Sequence, residues 1–144
     1  MIYNQLKSSF IFHLLLIVTL LSATPLFSQN KKQTDSLIRI TSLEIYKNPD
    51  KAIRIGNQIV KKAIKNKDID FTIKGYKLIS DAYSSKRNYE KSLEYVIRAN
   101  ELLKFSKNDL LKIIIANKTG IQYHQLKIYD KSIQYLDQAE QLIL

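Results

Sequence analysis

Residues 83–99 read YSSKRNYEKSLEYVIRA, and residues 123–139 read YHQLKIYDKSIQYLDQA. Laid over each other without gaps, the two stretches match at Tyr83/Tyr123, Tyr89/Tyr129, Lys91/Lys131, Ser92/Ser132, Tyr95/Tyr135 and Ala99/Ala139, every pair 40 positions apart. A weaker copy, Pro49-Asp50-Lys51-Ala52, stands one further period upstream of Tyr89-Glu90-Lys91-Ser92. A period of this length holds two helices and their turns, and self-similarity on that scale marks a stacked helical array. Arrays of this kind bind other molecules and rarely carry chemistry.

From Thr34 onward apolar residues recur at helical spacing, which predicts helices over 34–47, 50–66, 69–86, 89–105, 109–126 and 129–144. Asp68 and Asp109 can accept from the free N–H groups that open a helix. Pro49 suits a first turn, where its missing N–H is not needed. Alternation at period two is absent and only three glycines occur, so no strand pattern competes. Paired into hairpins, the helices divide the chain at 34–67, 68–107 and 108–144. In the second hairpin Tyr76, Ile79 and Tyr83 share a face opposite Ser92, Val96 and Ala99. In the third, Ala116, Gly120 and Tyr123 stand opposite Ser132, Leu136 and Ala139. Small residues on one side let the helix axes approach, and stacking buries what one hairpin cannot. Tyr89 and Tyr129 fall at the turns, where a ring can wedge against the preceding helix.

The first 28 residues read differently. A start whose only side-chain charge is Lys7 leads into an apolar run from Phe10 to Leu21, then into small and polar residues through Ser22, Ala23 and Ser28. That is the layout of a secretory signal, and the run is short of the roughly 20 apolar residues of a membrane span. An uncleaved anchor is the competing reading. Cleavage near Ser28 predicts an exported, periplasmic chain. No cysteine occurs, so neither disulfides nor a lipid on an N-terminal cysteine is available, and stability rests on packing. Residues 1–28 hold one lysine and no acid, so their removal lowers the net charge from +10 to +9. The bases are spread along the chain; only Lys61 to Lys67 is dense, and it contains neither arginine nor aromatic, so a nucleic-acid partner is not expected.

Beyond its signal the chain resembles the tetratricopeptide-repeat family. The family's large, small and tyrosine positions of the first helix, its turn tyrosine and the two small positions of its second helix fall on Tyr76, Ser80, Tyr83, Tyr89, Ser92 and Ala99. They fall again on Ala116, Gly120, Tyr123, Tyr129, Ser132 and Ala139. The first unit keeps Pro49 and Ala52 but has Gly56 and Ile59 where a large and a small residue belong. Its spacing exceeds the family's usual ~34 residues, as in the exported arrays that form input regions of bacterial sensor kinases and helix-turn-helix regulators. The resemblance implies an all-α, right-handed superhelical stack of about three hairpins. It also implies a concave face, lined by the first helix of each pair, that binds a peptide or partner protein. By residue matching that face presents Lys74, Lys77, Asp81 and Ser84, then Asn117, Ile121, His124 and Gln125. The family's variant that clamps a peptide's C-terminal carboxylate uses Lys and Asn; Lys77 fits one position, and Asp81 stands where Asn is expected.

No residues for catalysis converge in the sequence. After the signal only His124 remains, without a cysteine or second histidine to make a transition-metal site. Phosphate loops, nucleophile elbows and calcium loops are missing. The expectation is a noncatalytic interaction module without cofactor; the alternative is the sensor part of a signalling protein, although no kinase or DNA-binding segment occurs in these 144 residues. A membrane contact is expected only if the signal segment is retained. The sixth helix ends on Leu142-Ile143-Leu144 without a polar cap, and terminal repeats need a polar outer face. Self-association through that helix is therefore expected.

Overall fold

The computed structural model describes residues 31–143. The signal expected over residues 1–28 lies outside them. The chain divides into two compact units, Met1–Leu37 and Ile38–Leu144; of the first, only residues 31–37 are described, and they are helical. Among the described residues all regular structure is helical. Helix α1 covers 31–43, and α2 (Pro49–Lys65), α3 (Ile69–Ser85), α4 (Tyr89–Leu102), α5 (Asp109–Gln125) and α6 (Tyr129–Gln141) follow. From α2 onward each helix packs on the next, and α3 also meets α5.

The chain keeps a 20-residue cadence. Helices α2 to α6 are preceded by cap residues Asn48, Asp68, Asn88, Asn108 and Ile128. The first four side chains each accept from a backbone N–H three residues on, at 3.0 to 3.2 Å, satisfying one of the donors a helix start leaves open. Asn108, and not Asp109, is thus the cap of α5; Asp109 occupies the first turn, where its charge suits the helix dipole. Ile128 caps nothing.

Three turns share one geometry. Lys67, Arg87 and Lys127 adopt left-handed φ values of 54°, 59° and 61°. The next residue's N–H reaches back to Ala63, Tyr83 and Tyr123 carbonyls respectively, at 2.9 to 3.0 Å. This is the helix-ending motif in which glycine usually holds the left-handed position; here a basic side chain does. The helix expected over 34–47 stops at 43 instead; Glu44 to Lys47 form turns, and Pro49 holds Asn48 outside helical geometry. After Leu102, α4 tightens into a 3-10 turn over Leu103–Phe105. Ser106 then donates from Oγ to Asp70 Oδ1 at 2.6 Å.

Helices approach closely at small residues. A methyl group on Gly56 would sit 2.5 Å from Ile79 Cγ1 and 3.2 Å from the Gly75 carbonyl, and one on Gly75 would meet Val60 at 2.7 Å. The glycine at 56 therefore sets the α2–α3 distance. Between α3 and α4 the same job falls to a reciprocal pair: Ser80 Oγ donates to the Ser92 carbonyl and Ser92 Oγ to the Ser80 carbonyl, both at 2.8 Å. Between α5 and α6, Gly120 lies against Leu136 and the Ser132 carbonyl. The repeated tyrosines pair within hairpins, Tyr83 on Tyr95 and Tyr123 on Tyr135, at 5.5 and 5.6 Å between ring centres. Burial lifts the Tyr135 phenol above the ordinary tyrosine pKa, and Tyr123 adds to the shift. Lys91 and Lys131 lie over Tyr83 and Tyr123. One apolar cluster joins Ile45, Ala52, Ile59, Leu78 and Ala82; a second joins Ile73, Val96, Ala99, Leu103, Leu111 and Ile115.

Two outcomes follow for stability. Gly56→Ala gains about 1 kcal/mol of helix propensity but forces a methyl into fully buried Ile79, an overpacking worth roughly 1–3 kcal/mol, so its urea midpoint falls. Ile128→Asn supplies the missing cap and raises the midpoint by the equivalent of about 1 kcal/mol; no rise would show that α6 starts without need of a cap.

Candidate functional site

Lys77, Asp81 and Ser84 occupy successive turns of one face of α3. The Asp81 carboxylate holds a lysine on each oxygen: Lys77 Nζ lies 2.7 Å from Oδ2, and Lys118 Nζ, arriving from α5, lies 2.7 Å from Oδ1. The Asp81 and Lys118 side chains keep only 21% and 16% of their surface exposed. Two cations on one carboxylate leave a local excess of one positive charge. Beside this network is a cavity of about 310 Å³ lined by Ser42, Ile45 and Tyr46, by Asp81, Ser84 and Ser85, and by Lys118. Ser85 Oγ donates to the Ala82 carbonyl at 2.8 Å.

The 40-residue register explains why this place is polar. At the preceding junction Ile45, Leu78 and Ala82 are core residues. Their counterparts one period later are Ser85, Lys118 and Gln122. Gln122 is fully buried, and among the described residues neither its amide nitrogen nor its amide oxygen has a hydrogen-bond partner. Buried amides are nearly always bonded, so this pair of orphan atoms, one helical turn beyond Lys118, is exceptional within the repeat.

Of the residues expected on the concave face, the structure brings Lys77, Asp81 and Ser84 together. Lys74 lies one turn earlier, its ammonium 4.7 Å from the centre of the Phe71 ring. Asn117, Ile121, His124 and Gln125 are exposed and do not line the cavity. The His124 ring meets Tyr129 edge-on at 5.6 Å. Helix α5 contributes Lys118 in place of Asn117. As the counterpart of Leu78, Lys118 occupies the position that faces back to the preceding hairpin, and its long stem carries the charge to Asp81. Comparing the copies for apolar positions turned polar finds Lys118, Gln122 and Ser85, which matching to a family pattern passes over.

Two larger concavities border α4. One, about 570 Å³, sets Glu90, Glu94, Glu101 and Arg98, the last paired with Glu94, around Leu93, Ile97 and Leu126. The other, about 580 Å³, is lined by Ile64, Ile69, Tyr76 and Leu102 with Lys67, Arg98 and Glu101. Both are broader but lack the convergence of partly buried polar groups found at Asp81. Among the described residues no three His, Asp or Glu side chains gather as a metal ion would need, and no helix is long and apolar enough to cross a membrane. No family model, curated protein or solved structure matches the chain.

The ion triad is separable from the fold. Asp81→Ala leaves partly buried Lys118 without its counter-charge and lowers stability by roughly 2 kcal/mol, below the range for fully buried pairs. Lys118→Leu restores the residue type of Leu78 and leaves Asp81 paired to Lys77, so its urea midpoint equals or exceeds that of the natural chain. Equal losses in the two variants would show that the α3–α5 pair is there for stability.

Proposed function

We propose that this chain is a noncatalytic interaction module of tetratricopeptide-like architecture, exported by its N-terminal segment, that holds a peptide or partner protein on the face where α1, α3 and α5 meet. The observation that carries this reading is the polar replacement at the second junction. At the counterparts of Ile45, Leu78 and Ala82 the chain gives up core, placing Ser85 and Lys118 on the wall of a cavity and Gln122 buried one turn beyond Lys118. Burying such groups costs stability unless they are bonded, so their presence at one junction and not the other fits a binding role. The lining offers hydroxyls from Ser42, Tyr46 and Ser84 and a cation whose charge is only shared with Asp81. Groups of that kind suit the carbonyls and N–H groups of a polypeptide, with Ile45 and the Tyr46 ring supplying apolar contact.

The reading is tested by selecting peptides from a random display library on the natural chain and measuring the enriched sequences against Ser84→Trp. The indole fills the cavity from a half-buried position, so helicity and melting temperature stay close to those of the natural chain while affinity drops at least about tenfold, a change of about 1.4 kcal/mol. Enriched peptides that bind the two chains equally would place the binding face elsewhere.

A further inference from the structure

We propose that the apolar stripe of α6 docks the basic first helices of a second copy of this chain, so that copies associate head to tail. The stripe runs along Tyr129, Ile133 and Leu136 and continues to Ile143 in the turn just beyond α6; Ile133 and Ile143 are 58% and 69% exposed, and Leu136, which also touches Gly120 of α5, is 37% exposed. Forty residues earlier the same positions are Tyr89, Leu93, Val96 and Leu103. There Val96 and Leu103 are buried, with Leu93 packed beside them, against Leu111 and Ile115 of α5. The stripe on α6 is thus a register copy of one that a helix covers, standing uncovered among the described residues.

At the opposite end of the series Ile40 and Leu43 are 48% and 73% exposed. They project from the side of α1 away from Ile38, Thr41 and Ile45, which face the core. Charge selects between the pairings these two faces allow. Residues 38–65 carry seven bases against two acids, whereas α6 carries Asp130, Asp137 and Glu140 against Lys131. Pairing α6 with α6 would bring like charges together; pairing it with α1 and α2 of another copy brings opposite ones together, and such complementarity fixes partner and register. The contact joins two different surfaces, so it propagates into a ring or an open chain of copies. It uses neither Asp81 nor the cavity and stands or falls independently of peptide binding.

The test uses the 144-residue chain and sedimentation over a range of concentrations. The natural chain associates reversibly, and added salt weakens the association. Leu43→Glu blocks one face, and Ile133→Glu or Ile143→Glu blocks the other; each variant alone loses association by at least about tenfold while keeping its helicity. Mixing a Leu43→Glu chain with an Ile133→Glu chain leaves one intact face on each and yields a 1:1 heterodimer. The proposal is overturned by a natural chain that stays monomeric, by association that survives either substitution, as contacts through residues 1–30 or an α6–α6 pair would, or by a mixture that fails to recombine.

Discussion

Everything in the described array depends on how near one helix backbone can come to the next. Three different devices secure that approach. Gly56 and Gly75 do so by having no side chain, with each carbonyl about 3.2 to 3.3 Å from where the other's methyl would be. Ser80 and Ser92 do so by bonding each hydroxyl to the opposite carbonyl, so that small polar groups are buried with their hydrogen bonds made. Gly120 and Ser132 combine the two. Once the backbones are this close, the larger residues have fixed places. The tyrosine pairs stack near the turns of the hairpins, and Ile79, Val96 and Ile115 fill the layers between. A side chain added at any of these crossings pushes apart two helices that each serve as the wall of a neighbouring layer.

The periodic part of this design is legible in the sequence. Tyr83, Tyr95, Tyr123 and Tyr135 give the 40-residue period directly, and helical spacing of apolar residues gives the elements. The turns are less so. Left-handed positions usually announce themselves as glycine, and Lys67, Arg87 and Lys127 carry no such mark; only their equal distance from the caps at 68, 88 and 128 gives them away. The role of Gly56 is hidden for a related reason, since it looks like a defect beside Val96 and Leu136 until Gly75 is seen across from it. Lys118 is hidden because a lysine on a helix reads as a solvated residue, and only the register with Leu78 shows that it occupies an inward place.

That register turns a list of polar residues into an energetic statement. An orphaned buried amide costs on the order of 1–3 kcal/mol, and a partly buried lysine adds desolvation that its ion pair offsets only in part. The first junction shows what the array does when stability alone is served, with isoleucine, leucine and alanine at those places. The second junction departs at three of the same places, Ser85, Lys118 and Gln122, and the departures lie on two different helices that meet there. Buried Thr119, the counterpart of Ile79, offsets its own cost by donating its hydroxyl to the Ile115 carbonyl, and Lys118 offsets its cost through Asp81. Gln122 differs from both, since no group among the described residues bonds its amide, and the inward polar positions of this copy are therefore unequal in what they cost the fold.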